Sequence, residues 1–388
     1  MATCSLVFLW ENLGPTHVDR LQAVAAQAGP GRPVVAIQYA ARSHTYGWAG
    51  ADPSGFALHT LFPASPRKGW RLAVRLARAC LRQGRADFFL CHYEEWPVWL
   101  TAILLRLAGR RVFAMMESKF DDYPRRLWRE VLKALFLRPY QGALTASERS
   151  RDYLRFLGLP AARLALGYSS LSVNRIERLA EALPAPEGVP FADRDFVVVA
   201  RLVPKKNIAL AIEAFAQWRG ETGGRRLLHL CGSGPLEPAL REQARVLGVA
   251  DAVRFHGFVQ SDAVSRRLAG ALCLILPSTE EQFGLVVIEA LALGVPVLVT
   301  PRAGAADRLV IPGVNGFLLD AARPESGAAL MTLLSENEAL WRRLATAARN
   351  SREGGDCHHF AAAVETLVGG KPIERASDRL IPRAAAFP

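Results

Sequence analysis

The sequence lacks the cysteine spacing of a metal-binding knuckle or a disulfide scaffold. Its 388 residues include six cysteines, which stand far apart and form no C-x-x-C pair. This pattern argues against a zinc site and against a chain held together by disulfides, and it favours a reducing compartment.

Long hydrophobic runs are also lacking. The first apolar run, "CSLVFLW", has no basic residues before it and is followed by Glu11, so it is a poor signal peptide and a good first strand. No run approaches the roughly 18 apolar residues of a membrane span. We expect a soluble or peripheral protein in the cytoplasm, with attachment to the inner face of the cell membrane as an open alternative.

Acidic residues are scarce in the first half of the chain. The formal net charge is +12, from 48 Lys and Arg against 36 Asp and Glu. Residues 1–190 hold 25 of the basic and 15 of the acidic residues, a difference of +10, which leaves 23 and 21, or +2, for the remainder. Such a basic half usually meets nucleic acid or an anionic membrane. Because no nucleic-acid-binding motif is present, we expect an anionic membrane surface and no nucleic acid.

One basic segment predicts an amphipathic helix. In "PRKGWRLAVRLARACLRQGR" the arginines follow steps of four and three, which places them on one helical face. Leu72, Leu76 and Cys80 lie on another side and are expected to pack on the domain. A solvated face is the alternative to lipid binding. The arginines are Arg71, Arg75, Arg78, Arg82 and Arg85, and the candidates for a second basic cluster are Arg125, Arg126, Arg129 and Lys133.

Both halves alternate short apolar runs with helical patterns. This alternation is typical of parallel sheets with crossover helices, so the predicted fold class is α/β, with two doubly wound Rossmann-like domains in tandem. The segment around Pro184, Pro186 and Pro190 predicts a linker. We predict domains at 1–185 and 191–365, with a tail at 366–388 that has the option of packing back on the first domain. Ligands of such sheets bind at the carboxyl ends of strands, which here predicts a site in the interdomain cleft.

The stretch "STEEQFGLVVIEALALGVPV" contains Glu281 and, within an apolar run, Glu289. A buried carboxylate costs several kcal/mol unless it is paired or hydrogen-bonded. If residues 281–289 were wholly helical, the two carboxylates would lie roughly 12 Å apart. Glycosidase pairs lie only about 5–9.5 Å apart, so these two glutamates suit the two ends of a long ligand. The alternative is that Glu281 caps the helix and Glu289 bonds a neighbouring donor.

Further candidates follow two other predicted strands. Arg201 and Lys206 lie between a strand and a helix, where two cations and a helix N-terminus would form a phosphate clamp. Gly232 and Gly234 lie at another strand-to-helix turn, where the backbone is able to approach a ligand closely. An ordinary solvated loop is the alternative for the cations.

Two other patterns imitate metal sites. Asp193 and Asp195 have the D-x-D form used by metal-dependent transferases, but they lie in the linker, and we expect them to be solvated. The tract at 357–359, "CHH", lacks further ligands nearby, and a surface helix is the better interpretation. We predict no metal site.

In their order and spacing these segments resemble the C-terminal domain of family 4 glycosyltransferases, which have the GT-B fold. The resemblance covers about residues 195–320. It implies that Glu281 contacts the donor sugar, that Glu289 holds the ribose hydroxyls, and that Arg201 and Lys206 neutralise the diphosphate. The matching segments are "RLVPKKNIALAIEAF", "GSGP", "VRFHGF", "PSTEEQFGLVVIEALALGVPV" and "VNGFLL".

The same resemblance implies further site residues. The donor-binding set includes Phe283, Gly284 and Leu285, together with Gly232 and Gly234. The first half matches the family less well. Its Gly14 occupies the place of a glycine-bearing loop near the diphosphate or the acceptor. Many family members carry a histidine after the fifth strand. This chain has Met116-Glu117 there, so Glu117 is the candidate to contact the transferred sugar, and His17 and His92 are expected to be structural or on the acceptor side.

The function implied by the resemblance is that of a retaining, metal-independent hexosyltransferase without a cofactor. It would move a sugar from a nucleotide-diphosphate donor to a sugar or lipid-linked acceptor hydroxyl, in cell-surface polysaccharide, lipopolysaccharide or glycolipid assembly. A sugar-nucleotide epimerase of similar architecture and a non-catalytic nucleotide-sugar-binding protein are the alternatives.

Overall fold

The computed structural model describes residues 4–41, 53–63 and 69–370. These ranges form two parallel sheets with helices packed against them, which confirms the predicted α/β class. Within the same ranges, no helix combines the length and the apolarity needed to cross a bilayer.

The first sheet has seven described strands in the order β3-β2-β1-β4-β5-β6-β7, all parallel. Its elements are β1 (Ser5–Trp10), α1 (Pro15–Ala28), β2 (Val34–Ala40), β3 (Ala57–Phe62), α2 (Trp70–Leu81), β4 (Ala86–Leu90), α3 (Trp96–Leu107), β5 (Arg111–Met116), α4 (Leu127–Leu137), β6 (Ala143–Thr145), α5 (Glu148–Phe156) and β7 (Leu164–Leu166), followed by α6 (Val173–Ala180).

The second sheet has six described strands in the order β10-β9-β8-β11-β12-β13, again all parallel. Its elements are β8 (Asp195–Val199), α7 (Ile208–Thr222), β9 (Leu228–Cys231), α8 (Glu237–Val246), β10 (Val253–Phe255), α9 (Ser261–Ala269), β11 (Ala271–Leu276), α10 (Val286–Ala292), β12 (Val297–Val299), β13 (Gly316–Leu318), α11 (Pro324–Glu336), α12 (Glu338–Asn350) and α13 (His358–Gly369).

The central strands β4 and β11 are buried along their whole length because both of their faces are covered. Strand β11 is apolar throughout, and the one polar residue of β4, Asp87, pairs with Arg32 and Arg111. Continuous apolar strands of this kind are typical of parallel sheets with helices on both sides. In each sheet the strand order reverses at one point, between β1 and β4 and between β8 and β11. Ligands of doubly wound sheets bind outside the carboxyl ends of strands at such a reversal.

The chain passes between the two sheets at two adjacent places. Leu171 pairs with the segment before α13: its N–H donates to Gly355 O at 3.0 Å, and Cys357 N donates to Leu171 O at 2.8 Å. Helix α6 then packs on α9 and α10, whereas α13 packs on α1 and β7 of the first sheet. The strands lie within the predicted bounds 1–185 and 191–365. Residues 371–388 of the predicted tail lie outside the described part.

The predicted basic helix is present but shorter than its arginine pattern. Leu72, Leu76 and Cys80 are buried as expected. Helix α2 ends at Leu81, so Arg82 is its C-cap and Arg85 follows a glycine outside the helix. The prediction that five arginines share one helical face is therefore wrong for Arg82 and Arg85. It holds for Arg71, Arg75 and Arg78.

Two residues of the predicted second basic cluster are partly buried and two are exposed. Arg125 lies inside, where it donates to the Tyr153 hydroxyl at 2.9 Å and forms an ion pair with Glu130 at 3.6 Å. Lys133 also donates to Tyr153, at 3.2 Å. Only Arg126 and Arg129 of the four are exposed.

Candidate functional site

The predicted site lies where the two strand reversals face each other. Loops after β1, β4 and β5 of the first sheet and after β8, β9 and β11 of the second line one cleft of about 910 Å³. The cleft therefore gathers the sequence-predicted residues of both halves, except Gly14, at the carboxyl ends of their strands.

Glu281 lies in the loop before α10 and not on the helix. Its carboxylate forms an ion pair with Lys206 and accepts a hydrogen bond from Ser278 Oγ at 3.2 Å. Helix α10 begins at Val286 and its N-cap is Leu285, without a side-chain cap. The helix-cap alternative for Glu281 is therefore wrong, and the predicted spacing, which assumed one continuous helix, does not apply.

Glu289 lies on α10 with its side chain at the cleft. Among the described residues its carboxylate has no hydrogen-bond or ion-pair partner. Burial raises the pKa of this carboxyl to about 7; Arg175 opposes the shift and Asp19 adds to it. The alternative in which a neighbouring donor satisfies Glu289 is not observed, and the oxygen atoms remain available to a ligand.

The two predicted cations lie in the loop after β8 of the same domain, and Lys206 is the ion-pair partner of Glu281. Arg201 follows β8, and Lys206 ends a short 3₁₀ turn (Pro204–Lys206) just before α7. Both line the cleft and are partly buried, whereas Pro204 and Lys205 between them are exposed. The loop is attached to the segment before Glu281, because Thr279 N donates to Lys205 O at 2.9 Å.

Gly232 and Gly234 allow two loops of the cleft to touch. A Cβ at Gly232 would lie 1.9 Å from Ala200 O, and one at Gly234 would lie 2.3 Å from Leu202 O. The backbone that these glycines approach closely is thus that of the Arg201 loop. They hold this loop in place at the cleft, which both of them line.

Phe283, Gly284 and Leu285 also line the cleft, as predicted for the donor-binding set. Phe283 is buried and anchors the loop in the core shared by the two domains. Gly284 has a φ of +94°, and a Cβ there would lie 2.8 Å from Leu276 Cδ2. The turn from Glu281 into α10 therefore depends on a glycine.

Gly14 lies in the loop after β1, as the resemblance implies, but it does not line the cleft. It is buried, and its N–H donates to His17 Nδ1 at 2.9 Å. The prediction that its backbone meets a ligand is not supported by this geometry. Glu11 and Asn12 of the same loop, and Thr16 at the start of α1, line the cleft instead.

Glu117 directly follows β5 and reaches the cleft, as its position in the sequence predicts. Its Oε1 accepts a hydrogen bond from Ser169 Oγ at 2.6 Å, which fixes the carboxylate. His17 and His92 line the same wall. Burial is the main cause that keeps the pKa of His17 well below its ordinary value, and Arg20 and His92 add to this effect, so the ring is neutral near pH 7.

Two basic residues that the sequence did not indicate connect the domains beside Glu281. Buried Lys119 donates to the Glu281 backbone carbonyl at 2.7 Å and pairs with Asp122. Arg149 donates to Ala303 O at 2.6 Å, and its ion pairs join Asp121 at 2.7 Å and Asp307 at 3.3 Å. Lys119 follows Glu117 closely, which is the one sequence signal for it; Arg149 has none.

The two metal-like patterns have other roles. Asp195 is not solvated as predicted: it accepts from Leu227 N at 2.7 Å and lies 3.0 Å from His229 Nε2. Cys357 is buried and precedes α13, with His358 exposed on that helix. Among the described residues, no group of three or more His, Cys, Asp and Glu is placed to hold a metal ion.

Residues 180–351 match the family model of glycosyl transferases group 1. A D-inositol 3-phosphate glycosyltransferase of Streptomyces griseus is 39% identical over 118 residues, which is 30% of this chain and 25% of that protein. WcaL of Escherichia coli K12, provisionally named a colanic acid biosynthesis glycosyltransferase, is 29% identical over 246 residues, which is 61% of this chain and 58% of WcaL. The matched stretches thus span a quarter to under two thirds of these relatives.

Among solved structures, Anabaena Alr3699/HepE in complex with UDP and glucose superimposes with a TM-score of 0.71 at 18% identity, over 95% of this chain and all of that one. At this identity the likeness concerns the fold. The chain has the two-domain GT-B fold, and its second half is similar in sequence to glycosyl transferases group 1.

Proposed function

We propose that the protein is a retaining glycosyltransferase that uses a nucleotide-diphosphate sugar. The observation that carries the proposal is the arrangement of two carboxylates on one wall of the cleft: Glu281 is paired with Lys206, and Glu289 is without a partner among the described residues. Glu117 faces the same cleft from the other domain. Such a cleft offers separate contacts to a ribose, a diphosphate and a sugar.

In this proposal the donor lies along the second domain. The ribose hydroxyls donate to Glu289, which gives the carboxylate the partners that the described residues do not supply. Arg201 and Lys206 face the diphosphate, where negative charge grows as the glycosidic bond breaks. Cations held in place before the reaction stabilise that charge without reorganising, so the mechanism needs no metal ion.

Retention of configuration requires the acceptor to attack from the face that the diphosphate leaves. We infer that the leaving phosphate oxygen accepts the proton of the incoming hydroxyl on that face. Glu281 is positioned for the sugar hydroxyls of the donor, and Glu117 for the transferred sugar from the first domain. The contacts of Lys119 and Arg149 between the domains would exclude water and align the acceptor.

A thermal-shift screen of nucleotide sugars tests the donor, because a ligand that binds the folded state raises its stability. The preferred donor is then incubated with candidate acceptors, and the anomeric configuration of the product is read by NMR. We expect retention, and turnover that survives EDTA. Conversion of the donor alone into an isomer would identify an epimerase. The absence of both transfer and donor hydrolysis would identify a non-catalytic binding protein.

The acceptor class proposed here is a sugar or lipid-linked sugar of cell-surface polysaccharide, lipopolysaccharide or glycolipid assembly. The name of WcaL refers to colanic acid biosynthesis, a polysaccharide process. An acceptor of this kind is presented most directly when the enzyme lies on the membrane that carries it.

Helix α4 favours such a location because its amphipathicity is inverted. Its inward side carries buried Glu130, which accepts from the Tyr153 hydroxyl, whereas Leu127 is 77% exposed and Trp128 57% exposed. Positions 127, 128, 131, 132 and 135 recur with the helical period, so they share one outward face. The other exposed members of this stripe are Val131, Leu132 and Leu135.

Neighbouring helices extend this surface. Exposed Trp70 of α2 packs edge-on against Trp96 of α3, with ring centroids 4.8 Å apart, and Trp99 of α3 contacts Phe136 of α4 at 5.3 Å. Arg71 and Arg78 are exposed on α2, whereas Arg75 donates to Leu61 O at 2.7 Å. We propose that α4 inserts its apolar stripe into an anionic lipid surface on the cytoplasmic side, with basic residues beside it. Tryptophan is typical of that boundary.

A further inference from the structure

Arg20 is a buried cation whose guanidinium has hydrogen-bond donors without an acceptor among the described residues. It lies on α1, lines the cleft and is only 2% exposed. Its Nε donates to Ser170 O at 3.1 Å, and its guanidinium carbon lies 4.8 Å from the centre of the Tyr168 ring. Within the described part of the chain, neither terminal nitrogen has an acceptor. A guanidinium carries five N–H donors, and a buried charge without an acceptor is costly.

The nearby acids are engaged elsewhere. Asp19 accepts two hydrogen bonds from Arg175, both at 2.7 Å, and one from Ser172 N at 3.0 Å. Glu117 accepts from Ser169 and forms no ion pair with Arg20. No carboxylate of the described residues therefore pairs with this guanidinium.

The other titratable neighbours of Arg20 do not provide a negative charge. Burial raises the pKa of the Tyr168 hydroxyl well above its usual value, and the phenol lies 3.0 Å from both Trp10 Nε1 and Cys91 Sγ. Burial also raises the pKa of the Cys91 thiol to about 12. Neutral His17 and cleft-lining His92 add polar edges to the same wall.

We propose that Arg20 binds an oxyanion, a carboxylate or a phosphate, on the acceptor, so that the enzyme selects an acidic acceptor. This inference rests on the proposed transferase function. The planar guanidinium fork matches both oxyanions with two parallel hydrogen bonds. The proposed donor contacts, Glu281, Glu289 and Lys206, belong to the second domain, whereas Arg20 lines the same cleft from α1 of the first domain.

Direct binding tests this assignment without turnover. Glucuronate, glucose 6-phosphate and glucose are titrated by calorimetry into the full chain, with and without saturating UDP, which occupies the donor-phosphate cations. We expect both acidic probes to bind at least about tenfold more tightly than glucose. Arg20→Gln should abolish the preference and leave the UDP affinity unchanged, and Arg20→Lys should retain part of the preference.

Equal binding of the three probes to the wild-type chain would overturn the proposal, whether or not Arg20→Gln folds. An acid preference that persists in folded Arg20→Gln would also overturn it. An equal loss of UDP affinity in that variant would show that Arg20 contacts the donor phosphate instead. Failure of the proposed function is separate: it would show as absent transfer with every sugar donor, while these titrations would still report the anion site.

Discussion

Glu281 and Glu289 differ in their surroundings, and the difference separates their expected effects. Glu281 is held by Lys206 and Ser278. In the proposed mechanism this fixed carboxylate contacts the sugar as its anomeric centre flattens. Glu281→Gln should lower kcat on the order of 100-fold, as for other lost transition-state contacts. Glu289→Ala should mainly raise the donor KM, because a ribose contact is equal in the ground and transition states. Steady-state kinetics on both variants measures this.

The control for both variants is thermal unfolding in the absence of donor. If the two substitutions lowered Tm equally and changed neither kcat nor KM, their role would be structural. Lys206→Met serves as the matched variant for Glu281, since it removes the other member of the same ion pair.

Glu289 also predicts how stability depends on pH. Its pKa is raised to about 7 from 4.5 in the unfolded chain, so the native state resists ionisation of this group. The contribution of the protonated carboxyl is fully present below pH 4.5 and is lost as the pH rises through about 7. At about 1.4 kcal/mol per pKa unit the loss is about 3 kcal/mol. Glu289→Gln should therefore gain stability relative to wild type at pH 8 but not at pH 4.5.

Denaturant unfolding at pH 4.5 and pH 8 measures the stability of Glu289→Gln and of the wild type. Donor binding is measured on the same two proteins. The same Glu289→Gln variant should bind the donor less well, which is the usual opposition between stability and function at a site. A stability difference between variant and wild type that is the same at both pH values would contradict the assignment.

The sequence predicts residues whose role is local and misses those whose role depends on the closed domains. Glu281, Glu289 and Lys206 lie in or next to strand-to-helix connections that the sequence predicts, so the pattern places them at the carboxyl ends of the second sheet. Arg20 and Arg149 acquire their roles from contacts with segments about 150 residues away, and no local pattern encodes such contacts. For Gly14 a local contact decides the outcome: its N–H donates to the ring of His17, three residues later, and not to a ligand.

At the scale of elements, helix α4 carries the membrane prediction. The triple variant Trp128→Ser, Val131→Ser and Leu135→Ser removes exposed side chains, so it should fold normally and lose sedimentation with anionic liposomes. Reversal of Arg71 and Arg78 to Glu should weaken binding at least roughly thirtyfold, from about 1 kcal/mol per basic residue. The effect of the arginines should shrink as salt rises.

Val246→Ser is the control for α4, since Val246 is another exposed apolar residue, on α8 of the second domain. It should sediment like the wild type. Equal binding to neutral vesicles, or wild-type binding by the triple variant, would remove α4 from the membrane interface.

The sequence predicts which residues are buried in elements with a strong hydrophobic period. It does not do so for very short strands or for a helix whose apolar stripe faces outward. Helix α2 is amphipathic in the usual sense, and its buried positions were predictable. Strands β6 and β7 have three residues each, too few for an alternating or continuous pattern to be distinctive. Helix α4 has an apolar stripe that its sequence would direct inward, whereas its buried residues are Leu137 and Glu130, and Glu130 pairs with Tyr153 and Arg125.

At the scale of the whole molecule, two crossings and one set of cleft contacts relate the domains. The crossings pair at Leu171 and Cys357, so they offer a compact hinge. Away from the hinge, Arg149 joins α5 to Ala303 and Asp307 of the second domain, next to Glu281. Loss of these contacts should favour the open cleft, in which acceptor and donor are poorly aligned and water enters.

Arg149→Ala should therefore lower kcat about tenfold, the range of one charge-assisted hydrogen bond at a partly exposed site. Tm should change little, because Arg149 is not part of either core. Small-angle scattering should show a larger radius of gyration, and the ratio of donor hydrolysis to transfer should rise because the attacking hydroxyl is no longer held in place. Arg155→Ala is the control on the same helix, since its ion pair with Asp152 stays within α5. Unchanged scattering and an unchanged ratio in Arg149→Ala would show that the hinge and the shared core alone keep the cleft closed.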